Sequence, residues 1–355
     1  MSLIARLLSR MIFIRFSVIL LGLSAFVLTL EVVGFLTDIL KINDNALLAV
    51  GYYCLARLPA ILTLFLPTSL LLSLLLAITE LSYRNELTAI WATGISPARL
   101  ILKLLPLALF IGILQFAIMN WGVPAAAPML HSWGIGDYAT RKFVTAENEP
   151  VWIRIGNDIM RAGRATADGS TLFDVILFRR EPTGQLRAQV FADKALQSNG
   201  HWLLNNVTTY SASGGPPKRE DQAVYEGPMR LANNRSASPD EMNLSDLSNY
   251  ITNNGFGVRP AYVYQTYWLK RLSPIAIAIV ILTLCVPLGT NFRRGGGLGL
   301  IFVAGVGLGF AYFVGDGVAM TLGETGAIAP WLAALGPLLI FAAIAVGLLA
   351  RTDHV

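Results

Sequence analysis

SYRNELTAIWATGISPAR, residues 82–99, is a polar stretch set between two long apolar runs, and its reading decides the fold. Ser82 is placed to cap a short helix, with Glu86 in the first turn, where a carboxylate complements the helix dipole. Leu87, Ile90 and Trp91 fall at i, i+3 and i+4 and make one apolar stripe. Gly94 suits a C-terminal cap, and Ser96-Pro97 restarts a helix with a hydroxyl followed by proline at the first helical position. The stretch therefore reads as a short amphipathic helix over 82–94, a tight turn and a new helix.

The apolar runs on either side fix the class. The chain is 54% hydrophobic and only 14% charged, so runs of membrane-crossing length follow. Spans one to three are predicted at about 11–36, 58–81 and 100–123, with Pro67 and Pro106 as kinks and Pro124 and Pro128 as terminators. Span four is predicted to start after Tyr267-Trp268-Leu269-Lys270-Arg271 and to run to about Leu288, and spans five and six at about 298–314 and 331–349. Asp316 and Glu324 mark the loop after span five, whose glycines at 305, 307 and 309 permit close helix contact. The basic start resembles a signal peptide, yet its apolar run continues to about Leu40, so it reads as a retained first span.

Between the two sets of three spans the pattern changes to alternation. VWIRIG, TLFDVILFRR, LRAQVFADKALQ and HWLLNNVTTYSA are strand-length segments separated by turn clusters such as EPTG and SGGPPK. The short connections make this insert antiparallel. The organisation is α+β: six transmembrane helices, three and three, in 1–128 and 263–355, around a β domain in 129–262. Arg6, Arg10, Arg15, Arg84, Arg99, Lys103, Arg293, Arg294 and Arg351 fall on one side of the spans, and Asp38, Asp44, Asp316 and Glu324 on the other. The positive-inside rule then puts both termini in the cytoplasm and the β domain outside.

Several chemistries find no support in the residues. The net charge of +5 is explained by topology rather than by nucleic acid. GGGLGL lacks the lysine and hydroxyl of a phosphate-binding loop, and no nucleophile-elbow motif accompanies His131, His201 or His354. No catalytic or metal residue is assigned, and Cys54 and Cys285 read as packing residues. Glu31 and Asp316 lie near the outer span ends, where an acid either serves function or simply reaches the interface. The absence of ionisable groups near the midplane speaks against an ion-coupled carrier.

Asn85-Glu86-Leu87 followed by Ala92, Gly94, Ile95 and Ser96 resembles the coupling-helix signature of the lipopolysaccharide-export permeases, the LptF/LptG family. The three-plus-three topology around a β insert is similar over the whole chain. RLSPIAIAIVILTLCVPLG, RRGG and GAIAPWLAALGP resemble the G branch more than the F branch. The resemblance implies the membrane subunit of an ATP-driven exporter in a bacterial inner membrane, not itself an enzyme. It implies a homologous F-type permease as heterodimer partner, a dimeric cytoplasmic ATPase that holds the ATP and magnesium, and lipopolysaccharide as substrate. A single-span jelly-roll protein, a periplasmic bridge protein and a periplasmic jelly roll in this chain are implied as well. Arg84, Glu86, Leu87, Trp91 and Gly94 would form the ATPase-coupling element, with Leu87 and Trp91 as its apolar contacts. Glu31, Asp38, Lys41, Arg57, Phe310 and Asp316 would line the substrate cavity or its gate between spans one and five. The acids departing from a basic rim at span one leave three options: a bridging divalent ion, positive charge from the partner permease, or a less anionic head group. A membrane-anchored scaffold that moves nothing is the alternative reading.

Overall fold

The computed structural model describes residues 3–136, 138, 151–155, 158–165, 171–181, 185–198, 201–225, 238–252, 260–291 and 298–353. The chain divides into two compact units, one of Met1–Ala126 with Thr266–Val355 and one of Ala127–Gln265.

In the first unit the apolar runs form helices longer than the runs themselves. α1 spans Leu3–Gly34, and a single turn, α2 (Leu36–Ile39), follows. α3 (Ala46–Tyr83) starts twelve residues before the predicted second span, because Asn45 Oδ1 accepts from the amides of Leu47 and Leu48 at 3.0 and 3.4 Å. It continues through Pro59 and Pro67, where the surrounding helices supply the packing that a proline-interrupted ladder lacks. α4 (Glu86–Ala92) is the short helix, and α5 (Pro97–Ala117) follows it with Ser96 as N-cap.

The third span does not stop at Pro124 and Pro128 as its prolines suggested. Ile118–Gly122 winds as a π-turn and α6 (Val123–Trp133) continues beyond it. A wider turn just ahead of Pro124 relieves the clash its ring makes with the preceding turn. The buried Arg271 guanidinium donates to the Met119 carbonyl inside that turn.

α8 (Ala261–Asn291), α9 (Leu298–Glu324) and α10 (Pro330–Asp353) supply the last three spans. Asp316 therefore lies within span five rather than in the loop after it, because Lys270 neutralises it there. All six spans have the length and apolarity to cross a membrane. The core of this unit gathers Leu8, Ile12 and Phe16 of α1, Leu66 to Leu81 of α3, Leu100 and Leu104 of α5, and Leu282 and Cys285 of α8. The basic turn with Arg293 and Arg294 lies outside the described residues.

In the second unit the described strands are β1 (Val151–Ile155), β2 (Asp158–Ala165), β3 (Thr171–Arg180), β4 (Leu186–Ser198), β5 (His201–Ser211) and β6 (Lys218–Tyr225). They pair antiparallel in sequence order as one six-stranded meander. The inserted antiparallel β domain is as the alternation predicts. The described strands form a single sheet. Its buried face carries Met160, Leu177, Val190, Trp202, Leu204 and Tyr225.

Along three strands the alternation slips by one residue at the same level. Buried positions run Leu172 then Val175 in β3, Ala192 then Ala195 in β4, and Leu204 then Val207 in β5. Asp174 and Asn206 take left-handed backbone there, with φ of 54° and 57°, a region aspartate and asparagine tolerate. Asn206 Nδ2 donates to Asp193 Oδ2 at 2.9 Å across the slip. Elsewhere in this unit His131 of α6 lies 2.8 Å from Glu241, and a short helix, α7 (Leu244–Thr252), leads toward Tyr264, on which Tyr250 stacks.

Candidate functional site

Two features of the first unit have no structural need that the bundle itself explains: the exposed helix α4, and two spans left largely uncovered.

At the foot of α3, Glu80 receives Arg15 from α1 and Arg84 from its own helix, the latter at 2.8 Å. This triad fixes the corner from which α4 departs. Asn85 turns the chain with left-handed backbone (φ 56°), and α4 begins at the next residue. Ser82, read as the cap of the short helix, instead closes the last turn of α3. Gly94 takes φ +83°, a conformation that favours glycine, and Arg99 Nη1 donates to its carbonyl at 3.0 Å. Ser96 Oγ accepts from the Arg99 amide at 3.3 Å and opens α5.

α4 is two-faced, but not in the way its stripe suggested. Leu87 is 2% exposed and sits inside the bundle core, with Ile90 and Trp91 packed against the same cluster. Leu87 is therefore an anchor to this chain's own helices, with the half-buried Trp91 packed beside it. A seven-residue helix cannot hold itself together in water, so it spends its apolar stripe on the bundle. The face left to solvent is Glu86, Ala89, Ala92 and Thr93, flanked by Tyr83, Arg84 and Asn85. Arg84 is turned back onto Glu80, which leaves Glu86 as the acid that the free face presents.

α1 and α9 are the least covered spans. In their central windows only 17% and 11% of residues are buried, against 61% for α3 and α8. α9 shows Val303, Phe310, Val314 and Val318 on one exposed face, with Phe310 71% exposed. The opposite face packs Gly305 and Gly309 on Leu75 and Leu71 of α3 and borders an apolar cleft with Ile281, Tyr312 and Phe341. α1 exposes Val18, Leu21, Phe26, Leu30 and Val33.

The residues expected at the gate are brought together in pairs. Arg57 grips Glu31 with two hydrogen bonds of 2.8 Å, Nε to Oε2 and Nη2 to Oε1, while Tyr53 Oη adds a third at 3.2 Å. Asp38 pairs with Lys41 on the exposed turn after α1. Asp316 pairs with Lys270 of α8, and one level further along Tyr267 donates to Glu324. Glu31, Arg57 and Asp316 thus meet neighbouring helices of the same chain, and Phe310 stands apart from them. Of the acids at the end of span one, Glu31 and Asp38 each meet a cation of this chain.

Sequence reasoning passed over Lys270 and Arg271, taking them as markers of a span start. The available signal was Asp316 itself, since an acid inside a span requires a cation at the same depth on a neighbour. Among the described residues no group of three or more metal-ligating side chains assembles.

Comparison with known proteins follows the same outline. The family model described as "Lipopolysaccharide export system permease LptF/LptG" matches residues 6–351. The chain is 22% identical over 319 residues to the lipopolysaccharide export system permease protein LptG of Escherichia coli strain K12, and equally to that of Escherichia coli O6:H1 strain CFT073. Each alignment covers 81% of this chain and 84% of the relative.

Proposed function

Because the chain belongs to the LptF/LptG family of lipopolysaccharide export permeases, we propose that it is the membrane subunit of an ATP-driven exporter that lifts lipopolysaccharide out of the inner membrane. In this reading both termini and α4 face the cytoplasm, as the clustering of Arg6, Arg10, Arg15, Arg84, Arg99 and Lys103 on that side supports. The β domain is then periplasmic. The chain pairs with an F-type permease and binds a dimeric ATPase, which holds the ATP and magnesium. A single-span protein and a periplasmic bridge receive the lipid.

The observation that carries the proposal is α4: a short helix pinned to the bundle by Leu87 that offers Glu86 to a partner. A force applied to such a helix passes into the helices it is anchored on. α1 and α9 supply the other half, since a bundle with two uncovered apolar spans can form one wall of a lipid-sized cavity. Exposing a lipid's chains to water costs about 0.8 kcal/mol per CH₂, so an apolar cavity that closes under ATP-driven force is the economical route.

Glu86→Arg tests the coupling. Loss of a charged partner at a desolvated contact costs about 2 kcal/mol or more, roughly 30-fold in affinity. The variant is expected to insert and to fold normally while ATPase recovery with the tagged permease and lipopolysaccharide release both collapse. If assembly and release stay at wild-type levels, α4 is not the coupling element. A scaffold role would instead survive truncation of the bundle to one anchoring span.

A further inference from the structure

We propose that the two intramembrane charge pairs, Glu31–Arg57 and Lys270–Asp316, are matched fasteners that set the positions of the two gate helices, α1 and α9. This rests on the reading of those helices as gates. The pairs share one design. Each joins an uncovered span to a well-buried one, α1 to α3 and α9 to α8. Each is also shielded to the same degree, with side chains 19% and 19% exposed in one pair and 17% and 18% in the other.

Fully buried apolar side chains are few on both helices near the two pairs. α1 buries Ala5, Leu8, Ile12 and Phe16 at helical spacing, but beyond Phe16 no apolar side chain of α1 is buried. Over that second half, the bidentate grip of Arg57 on Glu31 and the Tyr53 hydroxyl tie it to α3. α9 buries no apolar side chain among its described residues. One end is seated where Gly305 and Gly309 meet Leu75 and Leu71, the other where Gly323 meets Ala333 of α10 and Thr266 of α8, and between them Lys270–Asp316 joins α9 to α8 at depth. Lipid tails are as apolar as leucine, so helices in a bilayer are held by close packing and polar bonds rather than by a hydrophobic drive. Where such packing is sparse, the charge pair adds the polar bond that sets where the helix stands. Separating either pair leaves an unpaired charge at depth, a steep cost that gives each helix a defined resting place. Glu31, Arg57, Lys270 and Asp316 are on this account positioning residues and not substrate contacts.

The test uses the full complex in nanodiscs, with Cys54 replaced by serine and spin labels on exposed sites outside the pairs. Labels at Val33 and Leu47 report α1 against α3, and labels at Val318 and Leu272 report α9 against α8. Single neutral variants (Glu31→Gln, Arg57→Gln, Asp316→Asn, Lys270→Gln) are expected to shift or broaden the corresponding distance by about 2 Å or more, the scale of helix shifts in switching proteins. The charge-swapped doubles, Glu31→Arg with Arg57→Glu and Asp316→Lys with Lys270→Asp, restore it, and lipid release falls and recovers in parallel. Unchanged distances in the singles overturn the proposal, and so does a swap that fails to restore them. If distances respond as stated while the wild-type complex releases no lipid, the fastening stands and the exporter reading falls.

Discussion

Gly112→Val is expected to lower the unfolding temperature of the detergent-solubilised chain well below that of Gly22→Val. A β-carbon at Gly112 of α5 would meet the Ile275 Cα at 2.7 Å, the Pro274 carbonyl at 3.1 Å and the Ala278 β-carbon at 3.3 Å. Two of those three atoms are backbone of α8, so no rotamer change makes room. The helices must part, and parting undoes the close contact on which helix association in a bilayer depends. Overpacking a well-filled site costs typically 1–3 kcal/mol, and rigid backbone contact puts this variant at about the upper value. Gly22→Val serves as the control, because nothing lies within 4 Å of its added carbon. Unfolding of both variants at the wild-type temperature would show that α5 and α8 do not approach as described.

Leu87→Asp is expected to abolish ATPase capture while leaving the six spans inserted. The leucine is the fully buried anchor of a helix only seven residues long. An unpaired carboxylate in its place costs about 3–5 kcal/mol, well above what so short a helix can absorb. α4 should then leave the bundle and become a site of rapid proteolysis between Tyr83 and Pro97. Leu87→Met conserves volume and apolarity, costs under about 1.5 kcal/mol, and should retain capture. Equal protease resistance in Leu87→Asp and the parent protein would contradict the anchoring role. Glu86→Arg alters the presented surface and should stay protease-resistant, whereas this variant removes the support beneath it, so proteolysis tells the two apart.

The architecture was largely legible in the chain because its signals are long. Apolar runs of membrane length, alternation confined to the insert and cations gathered on one side of the spans each extend over many residues. The short helix was legible too, since Leu87, Ile90 and Trp91 do form one stripe. What that stripe faces was not, because periodicity shows that a face is apolar and not which neighbour covers it. Leu87 and Trp91 went to the bundle. The same limit explains the gate residues. Glu31 with Arg57 and Asp316 with Lys270 stand 26 and 46 positions apart, and only the depth of each helix brings them level. Pro124 and Pro128 misled for a local reason, since a π-turn and a hydrogen bond donated by Arg271 to the Met119 carbonyl let the helix continue past them.

The slip in the β domain has a practical consequence for anyone mapping tolerance to mutation. It draws a seam across neighbouring strands through Asp174, Asp193 and Asn206. On one side of it in β3 and β4 the inward positions are Leu172 and Ala195, and on the other they are Val175, Leu177, Val190 and Ala192, so odd and even exchange roles. A scan that inserts a lysine at every position should therefore print a checkerboard with a fault line. Tolerated squares become forbidden ones where the line crosses each strand, while at Asp174 and Asn206 the left-handed backbone adds a cost of its own.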